Sequence, residues 1–83
     1  MIFKKEVLKV IEEHGEKEEV KILVVELLDT LRSECQLLKA TIELLVATGN
    51  EEDDIRVHML KEVLERKADY GIEISEAMLK FAK

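Results

Sequence analysis

The chain of 83 residues contains no proline, three glycines, one cysteine and three aromatic residues. A sheet protein of this length would need more turn residues and more alternating β-branched or aromatic residues, so a β fold is excluded. The lone cysteine, Cys35, cannot form a disulfide within the chain. The first residues lack the apolar core and cleavage site of a secretory signal, so we expect a reducing, cytoplasmic location.

Long apolar runs and basic stripes are also missing. No run reaches the roughly 20 residues that a membrane span requires. The net charge is −6, and no basic stripe carries interleaved aromatic residues, which argues against nucleic acid and anionic membrane as partners. Apolar residues make up 47% and charged residues 39% of the chain, a composition typical of amphipathic helices. We therefore expect residues 1–83 to form a single helical domain.

The longest predicted helix is Glu16–Thr48, which contains no internal glycine and is bounded by Gly15 and Gly49. Both glycines are expected to close helices in the left-handed conformation. Unbroken, the helix would be about 50 Å long, whereas a compact domain of this size is only about 30 Å across. It must therefore project, bend near Asp29–Ser33, or serve as the spine of an oligomer. Its main apolar stripe comprises Val20, Val24, Leu27, Leu28, Leu31, Cys35, Leu38, Ile42, Leu45 and Val46.

A second apolar patch is predicted on the opposite side of the long helix. At 100° per residue it comprises Ile22, Val25, Leu37, Ala40 and Leu44. A helix that is apolar on two sides needs neighbours on two sides. We infer a subunit partner and a homo-oligomer, a dimer or higher, with twofold symmetry the commonest arrangement.

The remaining predicted helices are Ile2–His14, Glu51–Tyr70 and a short last helix Glu76–Ala82. Gly71 is expected to end the third helix, and Ser75 is expected to cap the last one after a brief extended stretch. The predicted fold class is all-α: a long antiparallel helical hairpin with short N- and C-terminal helices, assembling as an oligomeric helical bundle.

Two pairs of carboxylates are candidate metal ligands. Glu26 and Asp29 are three residues apart on one face of the long helix, and such a pair can share a divalent cation. In an antiparallel hairpin residue i lies level with roughly residue 100 − i, so the nearest further acids are Asp69 with Glu65 or, alternatively, Glu73. Together the four could bind Mg²⁺, if the rotation of the helices allows it. The alternative is that these acids form a solvated edge of an interface.

His58 is a candidate phosphoacceptor on the polar face of the third helix, with Lys61 one turn later. A histidine at the surface can accept a phosphoryl group or help to bind a metal. The structural alternative is a surface pair between His58 and Glu62 at i,i+4 spacing.

Residues 10–39 resemble the opening of the all-α (MazG-like) nucleotide pyrophosphohydrolases. That resemblance implies a helical oligomer that hydrolyses nucleoside triphosphates with Mg²⁺. The family pattern is Glu-Glu-x-x-Glu on one helix and Glu-x-x-Asp on the next. Glu12-Glu13-x-x-Glu16 matches the first motif literally, and on the long helix the first motif becomes Val25-Glu26-x-x-Asp29. In the second register the other motif lies near Arg66–Asp69, where arginine stands in place of an acid.

Residues 47–62 resemble the turn, helix and His-x-x-Lys-Gly motif of histidine phosphotransfer domains, with His58 as the acceptor. Glu62 replaces the glycine of that motif. Three functions therefore stay open at this point: a Mg²⁺-dependent nucleotide pyrophosphohydrolase or its inactive relative, a non-catalytic helical interaction module, and a phosphotransfer domain.

Overall fold

The computed structural model describes residues 4–49 and 54–81, and within these ranges it contains three α-helices and no strand. This confirms the all-α prediction. The helices are α1 (Lys4–His14), α2 (Glu18–Thr48) and α3 (Asp54–Leu79). Several predicted helix bounds lie outside the described residues: the helix starts at Ile2 and Glu51 and the helix end at Ala82.

The long helix α2 is continuous over 31 residues, through the segment Asp29–Ser33 where a bend was one of the alternatives. A helix of that length spans about 46 Å. The molecule measures 49 × 21 × 18 Å, so α2 runs along its whole length. The molecule is elongated because α2 is longer than a compact domain of 83 residues is wide.

The turn between α1 and α2 is tighter than the sequence suggested. Gly15 has no positive φ, so it is not a left-handed cap, whereas Gly49 has φ 63° and ends α2 as predicted. The amide of Gly15 donates to the Ile11 carbonyl oxygen at 2.8 Å. A Cβ on Gly15 would overlap the Phe81 ring, so glycine is needed here for space. The turn delays the start of α2 from Glu16 to Glu18.

The core lies at the end of the molecule that contains α1. Ile11 of α1, Val24 and Leu31 of α2, and Ile74 of α3 form one buried cluster. Ile74 is completely buried, and burial of such a side chain stabilises the fold by about 1.5–3 kcal/mol. Partly buried side chains surround the cluster: Val7, Leu8, Val20, Leu27, Leu28, Tyr70, Ala77, Met78 and Phe81.

The prediction that Gly71 ends the third helix is wrong. Helix α3 continues through Gly71 and Ser75 to Leu79, so there is no extended stretch, no cap at Ser75 and no separate short C-terminal helix in the described residues. Glycine within a helix costs only about 1 kcal/mol relative to alanine. Helical geometry here carries Ile74 into the core, and that burial outweighs the cost of the glycine.

An ion pair joins the middle of α2 to α3. Lys67 donates through Nζ to Glu34 Oε2, and both side chains are partly exposed. A second ion pair joins α1 to α3, between Lys4 Nζ and Glu73 Oε2. Each helix is therefore tied to α3 by an ion pair in addition to the apolar cluster.

Candidate functional site

The first predicted acidic pair lies on the surface of α2. Glu26 and Asp29 are both exposed, and neither makes an ion pair in the structure as described. The Thr30 hydroxyl donates to the backbone carbonyl oxygen of Glu26 at 3.0 Å and not to the Glu26 carboxylate. Ile22 and Val25 are exposed beside this pair. At 100° per residue, the pair lies on the same exposed side of α2 as the second apolar patch.

The second predicted acidic pair, Glu65 and Asp69, is exposed on α3. The α2 acid that meets α3 is Glu34, through Lys67. Across residues 4–49 and 54–81, no group of three or more His, Cys, Asp or Glu side chains is placed to hold a metal ion. A cation held by these pairs would need further oxygens from a nucleotide or another subunit. The Mg²⁺ site stays a prediction.

His58 is exposed on α3 and forms the surface pair that was one of its alternatives. Its Nε2 lies 3.2 Å from Glu62 Oε1, and Glu62 also lies 3.8 Å from Arg66 Nη2. A phosphoryl group on Nε2 would meet the negative charge of Glu62 at contact distance, and like charges at that range disfavour each other. Phosphotransfer through His58 stays a prediction, and the nearby Glu62 carboxylate disfavours it.

An open apolar groove of about 330 Å³ lies between α1 and α2. The sequence alone did not indicate it, because the groove depends on how two amphipathic helices are placed. Glu6 is the charged side chain among those that line it, which are Glu6, Val7, Val10, Ile11, Val20, Leu23, Val24 and Leu27. The groove lies at the end of the molecule that contains α1.

The second apolar patch predicted on α2 is exposed at all five positions. Leu37 and Leu44 are each 69% exposed. Between Gln36 and Thr48, the only charged residues are Lys39 and Glu43. This depletion of charge is typical of the centre of a protein–protein interface. The signal was visible in the sequence.

Helix α3 also carries exposed apolar side chains, and the sequence alone did not indicate their exposure. Met59 is 59% exposed, Ile55 is more exposed still, and Val63 is about one-third exposed. We use the name distal apolar surface for the exposed set formed by Leu37, Leu44, Ile55, Met59 and Val63. These residues lie outside the buried cluster and outside the groove.

Comparison with known proteins finds no relative of this chain. No family model, no curated protein and no solved structure matches the chain. In the part of the chain that the structure describes, no helix has both the length and the apolar character needed to cross a bilayer. The resemblances to nucleotide pyrophosphohydrolases and to phosphotransfer domains therefore stay interpretations of sequence motifs.

Proposed function

We propose that this chain is a non-catalytic helical protein–protein interaction module that works by association with itself. In this proposal α2 and α3 form an antiparallel hairpin, and α1 covers one end of it. The ion pair between Glu34 and Lys67 supports the hairpin, because these residue numbers sum to about 100 as an antiparallel pairing requires. Contact of Ile74 with the first half of α2 supports the same direction.

The observation that carries the proposal is the excess of accessible surface. The chain of 9.6 kDa exposes 6633 Å², whereas a compact monomer of this mass exposes about 5,100 Å². The radius of gyration is 15.9 Å, against about 12 Å for a compact chain of the same length. A small domain with so little burial is marginally stable alone, and association of subunits supplies the missing burial.

The exposed surface has the composition that association requires. Twelve large hydrophobic side chains are exposed in the described residues. Five of them lie on the second half of α2 and the start of α3 and exceed half exposure: Leu37, Leu44, Val46, Ile55 and Met59. Contiguous exposed apolar surface of this kind marks interaction sites. A reducing cytoplasm suits the single free cysteine, Cys35.

Light scattering coupled to size exclusion tests the proposal. At about 100 µM we expect a mass of at least twice 9.6 kDa, with dissociation on dilution that gives a Kd in the micromolar range or tighter. A mass of one chain at that concentration would contradict the proposal.

The same preparation tests nucleotide hydrolysis. Pyrophosphate release from a panel of nucleoside triphosphates with Mg²⁺ would support the enzymatic function instead, if it is lost in Glu26→Gln but retained in Glu43→Gln, an exposed acid outside both motif registers. Under the present proposal we expect no turnover above the buffer control.

A further inference from the structure

We infer that the distal apolar surface is the site at which a second copy of this chain binds, so that two hairpins form a four-helix dimer. The inference rests on the proposed self-association and specifies which surface mediates it. The competing surface is the groove between α1 and α2. Four observations favour the distal apolar surface over that groove and over other partners.

The first observation is the limited reach of α1. This helix has 11 residues and is about 16 Å long, whereas α2 is about 46 Å long. Lys4 of α1 pairs with Glu73 of α3, so α1 lies on the side of α3 that carries Glu73. Ile55 precedes Glu73 by 18 residues, or five full helical turns, and therefore projects on the same side. Beyond the end of α1, no helix among the described residues covers that side.

The second observation is that α2 exposes apolar side chains on the corresponding side. Leu23 lines the groove against α1, and Thr41 follows it by 18 residues, again five full turns. Viewed down the helix axis, Leu37 and Leu44 each project within about 60° of Thr41. The Thr41 hydroxyl donates to the Leu37 carbonyl oxygen at 2.9 Å, so it can enter a dry interface without losing its hydrogen bond.

The third observation is register. With Glu34 opposite Lys67, Leu37 is level with Val63 or Leu64, and Leu44 is level with the first turn and a half of α3. The exposed side chains of the two helices therefore form one surface rather than two separate ones. A surface contributed by two antiparallel helices is the form that packs against its own copy in a four-helix bundle.

The fourth observation is charge and area, and it identifies the partner as a second copy. The chain carries a net charge of −6, so two copies repel each other least when the surfaces in contact are uncharged. All five residues of the distal apolar surface are uncharged, which lets one surface face its twofold copy. A stable interface needs about 800 Å² from each partner. The chain as a whole exposes roughly 1,500 Å² more than a compact monomer of its mass, and burial of about 800 Å² per chain would remove about half of that surplus.

The experiment compares two leucines of equal exposure by light scattering and sedimentation across 1–100 µM. Leu44 is 69% exposed on the distal apolar surface, and Leu79 is 68% exposed on the last turn of α3, away from that surface. We expect Leu44→Glu to be a monomer throughout this range and Leu79→Glu to associate as the parent chain does. Circular dichroism checks that both variants keep the helix content of the parent.

Two milder substitutions separate a loss of association from a loss of folding. Because alanine favours the helix, Leu44→Ala should keep the fold but weaken the dimer Kd by about 10-fold or more, and Leu79→Ala should change it less than about 2-fold. Leu23→Glu tests the groove in the same way. If Leu44→Glu still dimerises, or if Leu23→Glu alone abolishes the dimer, this inference is wrong while self-association stands. A monomeric parent chain would instead overturn the proposed function itself.

Discussion

The two ends of this molecule differ in how many helices they contain. At one end α1, α2 and α3 meet around the buried residues Ile11, Val24, Leu31 and Ile74. At the other end the proposed hairpin consists of α2 and α3 alone, and there Ile42 is the buried hydrophobic residue among those described. Two packed helices bury few side chains completely, whereas a third helix covers the side chains that lie between them. We therefore expect folding stability to reside mainly at the first end and association at the second.

The largest effect should come from removal of Ile74. Its side chain is fully buried among all three helices, so Ile74→Ala is expected to lower the free energy of unfolding by about 3–4 kcal/mol. Ile42→Ala should cost nearer ~2 kcal/mol, because Ile42 is buried outside the three-helix cluster, where fewer neighbours hold the space open and the surroundings can collapse. Urea unfolding monitored by circular dichroism at one protein concentration gives both values. Equal losses, or a larger loss at Ile42, would show that the two ends are equally well packed.

The next effect should come from Gly15, which joins α1 to α2 under the Phe81 ring. A Cβ at this position would overlap both that ring and the backbone carbonyl oxygen of Ile11. The ring can move but the backbone cannot do so cheaply, so Gly15→Ala should destabilise the fold by about 1–3 kcal/mol. Thermal unfolding measures it. A melting temperature unchanged from the parent chain would mean that Phe81 is not held against this turn.

Gly71 provides the matched control and a change of opposite sign. It lies within α3, and a Cβ there would meet nothing within 4 Å. Gly71→Ala should therefore stabilise the fold by about 0.5–1 kcal/mol, through better helix propensity and a less flexible unfolded chain. The same thermal unfolding assay should show a higher melting temperature. A lower value would indicate that α3 breaks at this residue in solution.

Gly71 also shows where sequence reasoning fails. Glycine at the end of a periodic stretch is a local signal, and at Gly49 that signal correctly predicted the helix end. At Gly71 the same signal was overridden, because Ile74 gains more by burial in a continuous helix than the glycine costs. That gain depends on side chains from α1 and α2, which lie far away in sequence. Local chemistry predicts a helix end only where no distant packing opposes it.

The candidate surface was predictable on one helix and not on the other. Angular positions alone separated the exposed Leu37 and Leu44 from the main stripe of α2, because period and angle are properties of a single helix. Exposure of Ile55 and Met59 depends on where α1 stops relative to α3, which no local pattern encodes. The sequence likewise placed the carboxylates Glu26 and Asp29 on one face of α2, where both are exposed, but their distance from other acids depends on the rotation of α3.

The smallest effect should appear at Tyr70, beneath α1 at the well-packed end. Its hydroxyl is buried without a hydrogen-bond partner, and burial raises the pKa of Tyr70 above its usual 10, although the nearby Lys4 charge partly opposes this. The neutral phenol is therefore favoured in the folded state. Its contribution to stability is fully present below pH 10 and is lost as the pH rises through the folded-state pKa.

Tyr70→Phe removes both the unpaired hydroxyl and the titration. We expect it to change stability by less than about 1 kcal/mol at pH 7, in the stabilising direction, because no hydrogen bond is lost. Between pH 9 and 11 the melting temperature of the parent chain should fall more steeply than that of the variant. Parallel curves would mean that Tyr70 is as hydrated in the folded chain as in the unfolded one, and that α1 does not seal this end of the molecule. The contrast between a closed end and an open end would then lose its basis.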